Sequence, residues 1–206
     1  MNGRPKSYNP HQIMHQAMQV FWRKGYVETS IRDLSEATGL TTGSLYHEFE
    51  GKEGCFVAVL RHYIETIVRP RVESILFKAA CQPTPDPFNA IQHFIVSSFY
   101  PVPEPFARQA CLLLNTTLDA RLDTDAIQVA VNEGVNLLKE GYRHVLYRAQ
   151  SQGAIPQGAD LDTLIQQIFV FHVGVLSLSK VTPDPLPLVK ATEQQIRAMK
   201  IALLTQ

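Results

Sequence analysis

The sequence predicts an all-α protein, with a small helix-turn-helix domain at the N-terminus and a larger helical domain after it. Apolar residues recur at spacings of three and four along most of the 206 residues, and no segment alternates over the length of a strand. Proline-rich breaks at 81–87, 101–105 and 182–187 separate these helical patterns. We therefore expect a bundle of helices with no sheet.

The first domain is predicted over residues 1–51, and it opens with an arm at residues 1–8. Arg4 and Lys6 make this arm basic. Basic arms reach phosphates or the minor groove of DNA, whereas a disordered terminus is the plainer interpretation. Both interpretations stay open from composition alone.

Three short helices are expected in this domain. The first begins near Asn9 and ends at Gly25. Ser30 is placed to cap the second helix, and Gly39 follows its last residue, where a left-handed backbone favours glycine. Thr41 then caps the third helix, so that the second and third helices form a tight hairpin.

The third helix has an apolar inner face and a polar outer face. Leu45 and Phe49 lie four residues apart and face inward. A short helix with a small, hydrogen-bonding outer face, braced by a second helix, suits insertion into the major groove of DNA. An ordinary αα-hairpin with a polar surface is the alternative that spacing leaves open. The outward residues are Thr42, Gly43, Ser44, Tyr46 and His47.

Four motifs occur in register along this stretch: G-Y-x-x-T-S before the second helix, A-T-G-L at the turn, G-S-L-Y-H-x-F in the third helix and K-E after it. In these motifs residues 21–60 resemble the DNA-binding domain of the TetR family of transcriptional regulators. Glu48 departs from the family, which usually has an uncharged residue there. The resemblance implies phosphate contacts by Tyr46 and Lys52. The full set of implied DNA contacts is Arg4, Lys6, Thr29, Ser30, Thr41, Thr42, Gly43, Ser44, Tyr46, His47 and Lys52.

Composition limits the classes of protein and of site. The chain has 19 basic and 19 acidic residues, so DNA binding must rest on a local patch and not on net charge. Its three cysteines are too few and too widely spaced for a disulfide framework. No close metal-ligand spacing links His93, His144 and His172, and no metal or other cofactor is expected. We also expect no membrane-spanning segment and no signal-peptide core, and therefore a cytoplasmic protein.

The second domain is predicted over residues 52–206 and begins with a long helix from Lys52. Pro70 lies inside this helix and is expected to kink it, because proline lacks a backbone donor and clashes with the preceding turn. A later helix begins at Asp160 and is apolar on nearly every side, so it must be buried on more than one face. The other helices are expected over about 88–99, 106–114, 124–152 and 188–204.

The two C-terminal helices carry more apolar surface than one subunit needs. Two copies packed about a two-fold axis would form a four-helix bundle and bury this surface. Coverage by the intervening helices of the same chain is the alternative. The family resemblance implies the homodimer, which also doubles the base contacts on a palindromic operator. The expected interface residues are Leu164, Ile168, Phe169, Val173, Leu176, Ile196, Met199 and Leu203.

The middle helices are expected to enclose a cavity for a small-molecule inducer. This region is mostly apolar, which predicts an apolar or weakly polar ligand unless Arg108 or Arg121 turns inward to pair with a carboxylate. Cys111 lies in A-C-L-L-L-N, which is similar to a segment of several TetR-type repressors. A thiol that senses electrophiles or oxidants is therefore the competing mechanism, and a buried structural cysteine is the simpler interpretation. The expected lining residues are Phe94, Phe99, Phe106, Cys111, Tyr142 and Phe171.

Together these patterns predict a DNA-binding regulator that a ligand releases from its operator by changing the separation of two recognition helices. Repression is the commoner mode in the family, and activation stays open. An enzyme is the alternative of another class, but the sequence has no G-x-S-x-G, phosphate-cradling loop or suitably placed carboxylate pair. A helical adaptor that binds another protein through the hairpin is the third hypothesis.

Overall fold

The computed structural model describes residues 9–82, 86–101, 110–119 and 124–205, and every regular element among them is a helix. The all-α prediction is therefore confirmed. Arg4, Lys6, Phe106, Arg108 and Arg121, which the sequence analysis singled out, lie outside the described residues.

Three helices form the N-terminal unit: α1 spans Pro10–Glu28, α2 spans Ile31–Thr38 and α3 spans Thr42–Phe49. Asn9 caps α1, because its side-chain oxygen accepts a hydrogen bond from the backbone N–H of His11 at 3.0 Å. α1 packs against α2 and against the helix that begins at Lys52, and these contacts enclose a small apolar core. That core includes Ala17, Phe21, Leu34, Leu45 and Phe56, each at most 1% exposed.

Helix α4 begins with Lys52–Tyr63 and continues without a break through Lys78–Ala80. Pro70 lies within it, flanked by two stretches with the wider π-helical turn, Ile64–Val68 and Val72–Phe77. The distortion that the sequence predicts at Pro70 thus takes the form of π-helical turns on both sides of it. Because α4 runs from the N-terminal unit into the rest of the chain, no linker divides the molecule at residues 51–52, and the proposed division into two domains stays a prediction.

Five further helices complete the described part of the fold. Their starts and ends lie within a few residues of the predicted ones, except for α6. They are α5 Pro87–Val96, α6 Leu112–Thr117, α7 Asp125–Ser151, α8 Leu161–Ser179 and α9 Leu186–Leu204.

The helix predicted over about 106–114 begins later than predicted in the part that the structure describes. Ala110 has a left-handed φ of 50°, and Cys111 is extended with φ −86° and ψ 121°. Both residues therefore lie outside the helix, which begins only at Leu112. The apolar run from Leu112 to Leu114 follows from burial on several sides and not from a helical stripe.

Helix α7 lies at the centre of the larger helical region, in contact with α4, α5, α6 and α8. Two glycines seven residues apart let it approach its neighbours closely. A Cβ atom at Gly141 would come within 2.7 Å of Leu76 on α4, and one at Gly134 within 2.6 Å of Leu113 on α6. Both contacts are shorter than real side chains make, so the packing of α7 depends on these glycines.

Helix α8 corrects one expectation of the sequence analysis, which was that no segment reaches the length of a membrane span. Leu161–Ser179 is long and apolar enough to cross a membrane by length and composition alone, and 39% of its most apolar window is buried in the protein. A core or interface helix of a water-soluble protein passes the same test. The partial burial leaves an apolar face of α8 to be explained.

Candidate nucleic-acid interface and ligand cavity

The hairpin of α2 and α3 is fixed by hydrogen bonds between residues close in sequence. The side chain of Ser30 accepts from the backbone N–H of Asp33 at 3.1 Å, and Asp33 accepts from the N–H of Ser30 at 2.8 Å. The predicted Ser30 cap is therefore present, and with Asp33 it forms a capping box. Lys24 donates to the Asp33 carboxylate at 2.6 Å, and this bond, with those from Ser30, holds the pKa of Asp33 well below its usual range.

The turn between the two helices has the predicted glycine and cap. Gly39 adopts φ 71° and ψ 4°, the left-handed conformation that glycine takes at little cost. Thr41 caps α3 by accepting from the backbone N–H of Ser44 at 3.1 Å. Its hydroxyl also lies 2.9 Å from the Ser44 hydroxyl, so the first turn of α3 is held in place from its own sequence.

The outer face of α3 is exposed as predicted. Leu45 is fully buried beneath the helix, whereas Thr42, Gly43 and His47 are exposed and Tyr46 is 58% exposed. Ser44 is half-buried beside Thr41. The described part of the chain thus presents a short helix with small and polar outward groups, which matches the dimensions of a major-groove reader.

Two residues of the predicted contact set are engaged inside the protein instead. Thr29 is only 2% exposed, and its hydroxyl donates to the carbonyl of Gly25 at the kinked end of α1. The ammonium of Lys52 donates to the carbonyl of Tyr26 at 3.0 Å and lies 4.4 Å from the centre of the Tyr26 ring. In the structure Lys52 therefore joins α4 to the end of α1, whereas Thr29 closes the end of α1 itself. The resemblance alone implied their contact with DNA.

The angle between α3 and α4 depends on a residue that the sequence analysis did not single out. Gly54 lies in the first turn of α4, and a Cβ atom there would come 1.9 Å from the carbonyl oxygen of Phe49 at the end of α3. Backbone cannot yield as a flexible side chain does, so only glycine fits. Gly54 stands in the motif K-E-G, and its position one turn after the recognition helix was the available signal.

A cavity of about 300 Å³ lies between α1, α4 and α5, at the junction of the N-terminal unit with the rest. Of the predicted lining residues, Phe99 and Cys111 line it. Phe94 and Tyr142 lie in the packed core, 1% and 0% exposed. The other described residues that line the cavity are His15, Met18, Trp22, Tyr63, Ile67, Arg71, Ser97, Ser98, Pro101, Ala110 and Ser179.

Arg71 is the charged residue that sequence reasoning missed in this cavity. One nitrogen of its guanidinium donates to the hydroxyls of Ser97 at 3.0 Å and Ser98 at 2.8 Å, and to the carbonyl of Phe94 at 3.2 Å. The group also lies 5.2 Å from the centre of the Phe94 ring. In the sequence, Arg71 stands on the apolar stripe of α4 beside Val68 and Val72. An arginine that exists only for the surface is uncommon at such a position, and this was the available signal.

Cys111 is buried and lies in contact with Tyr63. The phenol hydroxyl of Tyr63 donates to the Cys111 sulfur at 3.3 Å, and both side chains are buried. Burial raises the pKa of the Cys111 thiol, so the thiol and not the reactive thiolate prevails at neutral pH. This setting favours the structural interpretation of Cys111 over the electrophile sensor.

A buried polar pair lies behind the cavity. The hydroxyl of Tyr142 on α7 lies 2.7 Å from Nδ1 of His172 on α8, and Phe94 contacts both rings edge-on. Burial is the largest cause that lowers the pKa of His172, to about 3, and the positive charge of Arg71 adds to it. His172 is therefore neutral at physiological pH. Among the described residues no group of three or more His, Cys, Asp and Glu side chains is arranged to hold a metal.

The predicted interface residues lie on α8 and α9. Phe169, Val173 and Met199 are half-buried. The protomer's own helices bury the other five, which are Leu164, Ile168, Leu176, Ile196 and Leu203. A groove runs along this face, and we define the α8/α9 face by the apolar residues that line it, namely Leu164, Val170, Phe171, Ala198, Met199, Ala202 and Leu203. Three of them, Leu164, Met199 and Leu203, belong to the predicted interface, which stays a prediction. Phe171, expected in the ligand cavity, lines this groove and is not among the described residues that line the cavity.

Comparison with known proteins now identifies the family. Residues 13–59 match the bacterial regulatory proteins of the tetR family, and residues 88–195, more than half of the chain, match the tetracyclin repressor-like C-terminal domain. The HTH-type transcriptional repressor ComR of Escherichia coli (strain K12) is 31% identical over 167 residues, which cover 80% of this chain and 76% of ComR. The chain belongs to the TetR family. It is therefore a DNA-binding transcriptional regulator and not an enzyme.

Other TetR-family members agree with this assignment over most of their length. The uncharacterized HTH-type transcriptional regulator YezE of Bacillus subtilis (strain 168) is 22% identical over 183 residues, covering 88% of this chain and 91% of YezE. A cysteine mutant of the TetR family regulator CifR, solved with a 26-base-pair operator DNA, superposes with a TM-score of 0.81 at 22% identity. That match covers 95% of this chain and 99% of CifR. At this identity the likeness to CifR shows the TetR fold.

Proposed function

We propose that this protein is a repressor that binds a palindromic operator through α3 and is released by a small molecule in the cavity between α1, α4 and α5. The observation that carries the proposal is the exposed polar face of α3, held by the capped turn of the hairpin. ComR is named a repressor, and CifR was solved on operator DNA. These two relatives support repression by this chain. A regulator that binds DNA is also expected in the cytoplasm, and we propose that location.

The reading residues in this proposal are those that α3 leaves accessible. Thr42, Ser44 and His47 are assigned to base edges, and Tyr46 to a phosphate. Gly43 lets the helix backbone approach the DNA, and the hydroxyls of Ser30 and Thr41 lie at the two helix starts, where phosphates bind. Arg4 and Lys6 remain proposed contacts of the N-terminal arm.

The homodimer in this proposal forms through the α8/α9 face. Val170 is 69% exposed at the edge of this groove, and the apolar character of α8 exceeds what one protomer buries. Packing two such faces about a two-fold axis gives a four-helix bundle, and the axis places two α3 helices on two halves of a palindrome.

The position of the cavity supports release by a ligand. α1 of the DNA-binding unit contributes His15, Met18 and Trp22 to its wall, and α4 contributes residues from the other side. The indole N–H of Trp22 donates to the carbonyl of Ala110 at 2.9 Å, which links α1 directly to the segment before α6. A ligand that moves this wall changes the position of α1 and hence of α3, which is a coupling between two sites.

Binding to the DNA upstream of the protein's own gene tests the proposal, measured by gel shift at several salt concentrations against unrelated DNA of equal length. We expect a specific complex, and a His47→Ala variant that loses about 1–3 kcal/mol of operator binding with altered preference at particular base pairs. Tyr46→Ala should weaken binding to all sequences, whereas Tyr147→Ala, at an exposed tyrosine of α7, is the matched control. A selection of bound fragments from the whole genome extends the test beyond the upstream DNA. Equal affinity for upstream and unrelated DNA, together with no fragment enriched in that selection, would reject the operator-binding function.

A further inference from the structure

The cavity between α1, α4 and α5 joins one arginine to a mostly apolar wall. The apolar lining includes Met18, Trp22, Ile67 and Phe99. No aspartate or glutamate is among the described residues that line it, so Arg71 gives the wall a positive charge. A volume of about 300 Å³ is at the lower end of the range for small-molecule sites in proteins.

The hydrogen bonds of Arg71 are all to neutral acceptors. The partners within the described chain are the carbonyl of Phe94 and the hydroxyls of Ser97 and Ser98, and one guanidinium nitrogen makes all three bonds. In contrast, Arg69 on the same helix makes two bonds to the carboxylate of Glu65, at 2.7 and 2.9 Å. A guanidinium has five N–H donors in a planar fork, so Arg71 keeps donors for a bidentate acceptor.

A half-buried cation that has no carboxylate partner among the described residues is costly unless another anion pairs with it. The three neutral bonds fix the direction of the guanidinium, and the ring of Phe94 at 5.2 Å holds it from the side. The group is thus positioned before any ligand arrives, which lowers the ordering cost of binding.

We propose that the cavity binds an organic anion, whose carboxylate or similar group pairs with Arg71 and whose apolar body lies against Met18, Trp22 and Phe99. This inference rests on the proposed ligand-responsive function and names the chemical class of the ligand. It replaces the sequence-based expectation of an apolar or weakly polar ligand, which took Arg108 and Arg121 as the only candidates for an inward charge.

Trp22 provides the measurement, because it is the one tryptophan of the chain and it lines the cavity. Its fluorescence is recorded while full-length protein without DNA is titrated with octanoate and, separately, with octanamide. The two probes have the same apolar body and differ in the charge of the head group. We expect octanoate to bind about ten- to a hundred-fold more tightly than octanamide, the range for one hydrogen bond to a charged group.

Arg71→Gln should abolish this preference, because it removes the charge that distinguishes octanoate from octanamide and keeps a polar side chain in the cavity. Arg69→Gln, two residues away on the surface and outside the cavity, should retain the wild-type preference. Arg71→Lys should restore part of it, which distinguishes loss of charge from loss of fold. Circular dichroism confirms that each variant is folded.

Two results would overturn the inference. One is equal affinity for octanoate and octanamide in the wild-type protein, and the other is an octanoate preference that survives in Arg71→Gln. A saturable, charge-dependent signal supports the anion site even if octanoate fails to release operator DNA, and in that case the proposed coupling fails instead. Failure of the wild-type protein to bind specific DNA rejects the proposed repressor without affecting the fluorescence result.

Discussion

The recognition hairpin and the ligand cavity are stabilised over very different distances along the chain. In the hairpin, Ser30 bonds Asp33 and Thr41 bonds Ser44, each pair three residues apart. In the cavity, Arg71 meets Ser97 and Ser98 across 26 and 27 residues. The hydroxyl of Tyr63 reaches Cys111 across 48 residues. A reading element built locally holds its shape when the rest of the protein moves, whereas a cavity built from distant segments changes when those segments shift.

This contrast suits a ligand-responsive regulator. The hairpin can travel as one rigid piece, since its caps and turn do not depend on the larger helical region. The segments that line the cavity come from α1, α4, α5 and the residues before α6, so a ligand there acts on their relative positions. The movement must pass through the joint of α1 and α4, where Lys52 bonds the carbonyl of Tyr26.

The largest effect is expected from a substitution at Gly54, where the first turn of α4 passes close to the end of α3. Gly54→Ala places a methyl group 1.9 Å from the carbonyl oxygen of Phe49, so α3 or α4 must shift. We expect a loss of about 3 kcal/mol or more in the free energy of unfolding, and no specific operator binding. Gly43→Ala is the stability control, because the nearest atom to its new methyl group lies 3.9 Å away. Thermal unfolding with stability equal to wild type in Gly54→Ala would show that the joint is not rigid.

The next effect concerns the α8/α9 face. Val170 is exposed in the protomer, so Val170→Glu should leave the protomer folded and place a charge in the dimer core, weakening dimerisation by about a hundred-fold or more. Val129→Glu is the matched control, because Val129 is 51% exposed on α7, outside the α8/α9 face. Sedimentation over a range of concentrations measures the dimer. A wild-type protein that stays monomeric at micromolar concentration would contradict the proposed interface.

The same contrast explains what the sequence predicts and what it does not. Helix caps and the left-handed turn depend on a few adjacent residues, so Ser30, Gly39 and Thr41 were predicted in their correct positions. Apolar periodicity predicts that α8 is buried on several sides, but it does not distinguish neighbours in the same chain from neighbours in a partner. The assignment of Leu164 and Ile168 to the interface therefore stays a prediction: the protomer's own helices bury both, and Leu164 also lines the groove of the α8/α9 face. The role of Arg71 depends on where α5 ends, and no local pattern contains that information.

A third prediction separates the cavity from a thiol sensor by the order in which cysteines react. Cys81 is exposed, whereas Cys55 and Cys111 are buried, and burial raises the pKa of Cys111 and raises that of Cys55 to about 12. At neutral pH, iodoacetamide should label Cys81 at least about ten-fold faster than Cys111. Peptide mass spectrometry measures both labelling rates, and Cys81→Ser removes the fast reaction.

A separate test uses Cys111→Ser, in which release of operator by a non-covalent inducer should persist. Loss of every inducing response in that variant, with folding and DNA binding intact, would favour the thiol mechanism.

The smallest effect comes from the buried pair behind the cavity, and its sign follows from the pKa of His172. The folded protein holds this pKa at about 3, below the usual value of 6.5, because the imidazole is buried and faces Arg71. Between these values the unfolded chain binds the proton and the folded chain does not, so stability is complete above the higher pKa and falls as the pH decreases. From about pH 7.5 to about pH 5.5 the contribution of His172 should fall by about 1.4 kcal/mol.

His172→Gln isolates this contribution, because glutamine can still hydrogen-bond the hydroxyl of Tyr142 but does not titrate in this range. Urea unfolding of both proteins at the two pH values gives the difference, and the other histidines cancel because both proteins contain them. The variant should lose less stability on acidification than the wild type, by about 1 kcal/mol. A parallel fall in both proteins would mean that His172 takes up its proton in the folded state. A second cation would then lie behind the cavity, near Arg71, at mildly acidic pH, and octanoate binding should tighten there instead of staying constant.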